Sequence, residues 1–307
     1  MITPHTLQTE NPTDELAMLL VGGPKSGKSR LAATAPGTIF FLETDHRLAA
    51  LRMHPNARNI FGLEFTDDIT SNATPMAINE EMDILNRLEV SPLLRNIHAN
   101  FADQGDRCID TLVFDSVQSM ADNARRYVMF NAPDVAKSFQ MGNKTYRVAK
   151  TFHAWGGEME MVTGAILKAR AILHCKTCLE SATYRKDPSG RGHLTHSDEK
   201  KTYNHEPVAR AMNVIAILHE CMEEDERSTE ENPIYTGKID VYPRRYRSLL
   251  IYFNEVWRLK RENGRIPTIQ CDPDGKFIQA ATALGIDKIT IPDIGQVLSN
   301  ARSLRKQ

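Results

Sequence analysis

Residues 22–29 read Gly-Gly-Pro-Lys-Ser-Gly-Lys-Ser, a fit to the spacing G-x-x-x-x-G-K-[ST]. The chemistry of that spacing is phosphate binding. Glycines let successive backbone N–H groups turn inward around phosphate oxygens. A helix that starts directly afterwards adds the positive end of its dipole. Lys28 is placed to neutralise β- and γ-phosphate charge, and Ser29 to offer a hydroxyl to Mg²⁺. The expected ligand is ATP with Mg²⁺, cradled by Gly22, Gly23, Pro24, Lys25, Ser26, Gly27, Lys28, Ser29 and Arg30.

Such a loop needs acids opposite it. Asp115 closes the apolar run Leu112-Val113-Phe114 and is the candidate second contact to Mg²⁺. The bland reading is an ordinary strand-ending aspartate. Glu43 and Asp45 follow Phe40-Phe41-Leu42, where a carboxylate can reach the γ-phosphate side and serve the attacking water. The bland reading there is a pair of solvated loop charges. A separate cluster, Cys175-x-x-Cys178 followed by His193-x-x-His196, has the donors for Zn²⁺. Its alternative is two unrelated core thiols beside a polar loop.

The elements that must position these groups can be read in order. Leu16–Val21 is a short apolar strand, broken by the glycines. Lys28–Thr34 reads as a helix stopped by Pro36-Gly37, and Ile39–Leu42 as a second buried strand. Strand, glycine loop, helix, strand is the opening of a parallel α/β sheet. Asn79–Leu94, Val117–Phe130 and Trp155–Arg170 read as helices, and Thr111–Phe114 as a third strand. Asn213–Leu218, ending at His219, is either a strand or the end of a helix beginning near Pro207. Phe253–Lys260 and Ile266–Gln270 are strand-like and joined through Glu262-Asn263-Gly264-Arg265; Asn-Gly is a hairpin signal. The expected class is α/β, a mainly parallel sheet flanked by helices with a late antiparallel hairpin. Residues 1–15 read as a flexible N-terminal tail, 16–285 as one core with an insert at 175–205, and 286–307 as a C-terminal tail or helix.

Composition narrows the class. Hydrophobic residues are 41% and charged residues 25% of the 307, ordinary for a soluble globular chain. No apolar run approaches a membrane span, and the N-terminus lacks a secretion pattern, which points to the cytoplasm. Five cysteines, an odd number, suit reduced thiols. The formal net charge of −1 decides nothing about nucleic acid, so any such contact must come from a local patch.

Two patches stand out. Residues 125–150 hold six basic residues and one acid, with Tyr127, Phe130, Phe139 and Tyr146 among them. Charge neutralisation with base stacking is how single strands are held without sequence preference. Lys144, Arg147 and Lys150 are three apart, a spacing that suits one face of a helix. A solvated face over buried aromatics explains the same residues. Residues 242–265 carry seven basic residues and two acids, including Arg244, Arg245 and Arg247.

Together, the phosphate loop, Phe41-Leu42-Glu43-Thr44-Asp45-His46 and Val113-Phe114-Asp115-Ser116-Val117 resemble a RecA-like P-loop NTPase core. The chain is more closely similar to phage AAA-type nucleotide-binding proteins of the single-strand annealing and recombination group. Gly-Pro-Lys-Ser-Gly-Lys-Ser at 23–29, Ile-Ala-Ile-Leu-His at 215–219 and Tyr-Phe-Asn-Glu-Val-Trp-Arg at 252–258 carry that likeness. The resemblance implies an ATPase acting on single-stranded DNA in phage recombination or replication, inside the bacterial host cytoplasm. It implies self-assembly into a ring or filament, a single-strand-binding protein as a further partner, and no membrane. Asp45 takes the catalytic glutamate's place, a departure that shortens the arm and slows hydrolysis. His219 takes the place of a polar γ-phosphate sensor, with His174 its rival. Arg244, Arg245, Arg247 or Lys238 would be a finger reaching a neighbour's ATP. The alternative is an ATP-dependent remodeller or helicase-loader acting on a protein.

Overall fold

The computed structural model describes residues 16–67, 74–94, 97, 101, 107–141, 144–150, 152–175, 185–186, 192–193, 207–224, 235–239, 249–260, 267–272, 280–282, 284 and 293–304. The chain opens with β1 (Ala17–Gly22), α1 (Lys28–Ala32), β2 (Ile39–Glu43) and β3 (Ile60–Glu64). It continues through α2 (Ala77–Val90), β4 (Thr111–Asp115), α3 (Val117–Asn131), β5 (Ala136–Met141), β6 (Lys144–Ala149) and α4 (Phe152–Ala171). Strands β7 (Leu173–Cys175), β8 (Arg185–Lys186), β9 (Gly192–His193), β10 (Pro207–Ala211), β11 (Asn213–Glu224), β12 (Tyr235–Ile239), β13 (Glu255–Lys260), β14 (Thr268–Gln270) and β15 (Ala281–Thr282) follow, and then a last helix, Ile294–Leu304.

The main sheet runs β14-β13-β1-β11-β4-β2-β3. From β13 to β3 every neighbouring pair is parallel, while β14 and β15 pair antiparallel with β13. The fold is therefore the expected one, a mainly parallel sheet flanked by helices with a late antiparallel pair. The turn at Glu262–Arg265 lies outside the described residues. Asn213–Leu218 is strand, which settles the ambiguity at His219.

Unbroken apolar runs become central strands because both sheet faces are covered. Alternation then sorts the side chains. Ala17, Leu19 and Val21 of β1, Phe40 and Leu42 of β2, and Leu112 and Phe114 of β4 enter one core with α2, α3 and α4. Met18 and Leu20, Ile39 and Phe41, and Val113 enter the other, with α1 and the last helix. The segment after 285 thus contributes Ile294, Val297 and Leu298 to the core beneath α1.

One sequence expectation is corrected here. Lys144, Arg147 and Lys150 do not share a helical face. Residues 144–149 are strand β6, paired antiparallel with β5 from Ala136↔Ala149 to Met141↔Lys144, and Lys150 follows the strand. Thr145, Tyr146 and Val148 favour the extended chain, where side chains alternate with period two and not 3.6. Lys144 and Arg147, three apart, therefore fall on opposite faces of a hairpin between α3 and α4.

Candidate functional site

The parallel register brings the candidate residues to one edge. Gly22 at the end of β1 pairs with His219 of β11, while Asp115 at the end of β4 pairs with Ile217 on one side and Glu43 on the other. The carboxyl ends of four adjacent strands thereby meet where chain turns back into helices, the usual place for a ligand in such sheets.

The loop from β1 to α1 turns at Gly27, whose φ of 98° is open to glycine and costly for other residues. Gly22 has a different reason: a Cβ there would meet the Leu259 carbonyl at 2.6 Å, so β13 can lie this close only to a bare backbone. Pro24, Lys25 and Arg30 are exposed, whereas Ser26 and Lys28 are buried. Lys28 Nζ donates to the Gly22 carbonyl at 2.6 Å and the Gly23 carbonyl at 2.9 Å. Burial lowers its pKa to about 8, against the pull of Asp115. A triphosphate would supply the anionic partner that the loop carbonyls replace only in part.

Asp115 is 3% exposed. Burial pushes its carboxyl up, and a hydrogen bond from Ser29 opposes that. A hydroxyl and a carboxylate already in contact are a donor set that fits Mg²⁺, a hard cation that takes one or two protein oxygens and keeps waters.

The segment after β2 curls over this edge. His46 adopts φ 55°. Glu43 is buried, its carboxyl raised by burial and drawn down by backbone N–H groups, including that of Asp45 at 2.7 Å. It braces its own loop. The Asp45 carboxylate meets Ser119 Oγ in a short hydrogen bond, Ser116 Oγ at 3.3 Å, His219 Nε2 at 3.5 Å and Arg47 Nη2 at 3.7 Å. Burial alone would raise its pKa, but His219 and Ser119 outweigh that and hold it at about 2. The other ring nitrogen of His219, Nδ1, is 3.4 Å from Lys28 Nζ. His219 therefore bridges the loop lysine and Asp45. His174 falls on β7, which pairs with β10 outside the main sheet.

The AAA domain family profile matches residues 14–170, from β1 through α4. The chain belongs to the AAA domain family. This AAA-domain chain is thus an ATPase-like P-loop protein, and the matched span contains the phosphate loop, Glu43, Asp45 and Asp115. Among solved structures it is similar to one described as a prototypical ATPase from the type III secretion system of pathogenic bacteria. Identity is 13% and the TM-score 0.40, with 95% of this chain and 65% of that one covered, less than two thirds of its length. That likeness is too distant to inform mechanism. No curated protein matches.

The remaining candidates fall elsewhere in the fold or outside the described residues. Lys238 lies on β12, opposite Cys221 of β11, two residues beyond His219. Arg244, Arg245 and Arg247 lie outside the described residues, as do Cys178 and His196. Cys175 and His193 are on the separate strands β7 and β9. Among the described residues no group of three or more His, Cys, Asp or Glu is placed to hold a metal. No described helix of this AAA-domain protein is long and apolar enough to cross a membrane.

Sequence reasoning missed four contributors. Ser116 caps α3 and exchanges hydrogen bonds with Thr44 at 3.0 Å, and Ser119 follows in the first turn. Ser-x-x-Ser directly after a strand-ending aspartate was the available signal for a helix start. Arg258 and Glu220 form a buried two-point ion pair across the end of β1, a pairing that no spacing in the sequence marks.

Proposed function

We propose that this protein binds ATP with Mg²⁺ and hydrolyses it, through Lys28, Ser29, Asp115, Asp45 and His219. The single observation behind this is their convergence on the carboxyl edge of four parallel strands, with Lys28, His219 and Asp45 in one contact chain. Ser29 and Asp115 would hold Mg²⁺, which supplies charge neutralisation between the β- and γ-phosphates. Lys28 leaves the Gly22 and Gly23 carbonyls for phosphate oxygens. Asp45, too weakly basic to take a proton efficiently, orients the attacking water through Oδ2. The loose transition state of phosphoryl transfer asks for positioning more than for a strong base. His219 reports the γ-phosphate to Asp45.

The test is ATP binding and phosphate release by the parent and by Lys28→Ala. The parent should bind and turn over slowly, and the variant should lose at least a hundredfold in affinity. Equal binding by both would overturn the reading.

We further propose single-stranded DNA as the polymer acted on, in phage recombination or replication. The support is the β5–β6 hairpin, where Lys137, Arg147 and Lys150 are exposed and Phe139 and Tyr146 occupy paired positions in the register. Self-assembly with a finger from Arg244, Arg245, Arg247 or Lys238 belongs to this reading, as does a RecA-like kinship. Fluorescence polarisation with a single-stranded oligonucleotide, with and without ATP, decides it. Binding that weakens steeply in salt is expected, and no binding points instead to a protein partner.

A further inference from the structure

The two hydroxyls missed in the sequence converge on one oxygen. Ser119 Oγ and Ser116 Oγ both donate to Oδ1 of Asp45. The other oxygen, Oδ2, faces His219 and Arg47. A carboxylate bound on both sides cannot rotate freely about its Cβ–Cγ bond, so the donors on Oδ1 set where Oδ2 points. Ser119 is itself fixed. Its N–H donates to the Ser116 hydroxyl at 3.4 Å, and Ser116 is tied to Thr44, next to Asp45, through its backbone N–H and carbonyl. The start of α3 and the end of β2 therefore form one rigid frame around the Asp45 side chain. His219, which meets Oδ2, is on the Lys28 side.

We propose that Ser119 is a positioning residue for hydrolysis. Its hydroxyl clamps Oδ1 so that Oδ2, with the His219 ring, is presented to the phosphate end of Lys28. This rests on the hydrolase reading above and deepens it. It accounts for how an aspartate can serve with its short arm: α3 holds the carboxylate in place. Loss of the clamp frees the carboxylate to turn without disturbing the loop that grips the nucleotide. The damage then belongs to turnover and not to binding.

The experiment measures steady-state ATP hydrolysis and affinity for a non-hydrolysable ATP analogue in the parent and in Ser119→Ala, Ser119→Cys and Ser119→Thr. Ser119→Ala should lower kcat roughly tenfold to a hundredfold, the scale expected of a displaced catalytic group. KM and analogue affinity should stay within about twofold. Ser119→Thr, which keeps the hydroxyl, should recover most of the loss, with the weaker donor of Ser119→Cys in between. Parental kcat in Ser119→Ala, a loss shared equally with analogue affinity, or a threonine variant as poor as the alanine one would overturn the inference. A parent that binds the analogue but releases no phosphate would overturn the hydrolase reading and this inference with it, and the parent sample alone shows that case.

Discussion

The most exposed physical tension at the scale of single residues is away from the site, at Glu81. It lies on the inner face of α2, 0% exposed, and neither carboxylate oxygen has a hydrogen-bond partner. Burial raises its pKa from 4.5 to about 8. The folded carboxyl therefore stays protonated where the unfolded one is ionised. Folding takes up a proton between these two values. Stability is fullest below about 4.5 on this account and falls as pH climbs towards 8, by about 1.4 kcal/mol per pH unit. Glu81→Met should flatten that slope and stabilise the protein at pH 7.5 more than at pH 5.5, in urea unfolding at both. Nothing in the sequence marks Glu81: an acid at that spacing on an amphipathic helix reads like its exposed neighbours Glu80 and Asp83. Lys28, Ser29 and Asp115 could be singled out in the sequence because each proposed role ties a residue type to a fixed offset from a strand end. The partners of Asp45 were not, since Ser119 and His219 reach it from elements 74 and 174 residues away.

Among the elements, the strands of the sheet could be read from unbroken apolar runs, and the hairpin could not. Spacing of three between basic residues mimics a helix face, while the evidence for strand lay in the residues between them. Structure also divides the basic residues by job. Arg147 stacks over the Phe130 ring at 4.6 Å and donates to the Phe130 carbonyl at 3.2 Å, so it fastens the hairpin to the end of α3. Arg147→Ala should cost about 0.5–1 kcal/mol of stability, the worth of an exposed cation–π contact, measurable in denaturant titration. Lys137 and Lys150 carry no such duty. Replacing both with alanine should weaken single-stranded oligonucleotide binding about tenfold and flatten its salt dependence, with basal ATP affinity unchanged. Gly22→Ala is an element-scale lesion too. It forces β1 away from Leu259 of β13, and both unfolding midpoint and nucleotide binding should drop.

For the molecule as a whole, the opening strand–loop–helix–strand unit was readable, but the order of the sheet was not. β1 lies between β11 and β13, partners that come 196 and 238 residues later by the starts Ala17, Asn213 and Glu255. Such pairings leave no local trace in sequence. The same holds for the last helix: residues 286–307 read as a tail or helix, but nothing in them showed that it packs beneath α1. Its first N–H groups, of Ile294 and Gly295, donate to the Thr34 hydroxyl at 2.8 Å and carbonyl at 3.1 Å.

That docking has a mechanical side. α1 is five residues long, so the peptide proposed to receive triphosphate at one end reaches, at Thr34, the start of the last helix at the other. On the proposed reading, a ligand held by Lys28 and Ser29 would load α1, which ends barely more than one turn later beside Ile294. Thr34→Val, which keeps the shape and removes the hydroxyl, loosens this abutment. ATP affinity should fall about threefold to tenfold in equilibrium titration, while the chemical step runs at its parental pace once ligand saturates. On that reading the last helix is the anvil behind the grip.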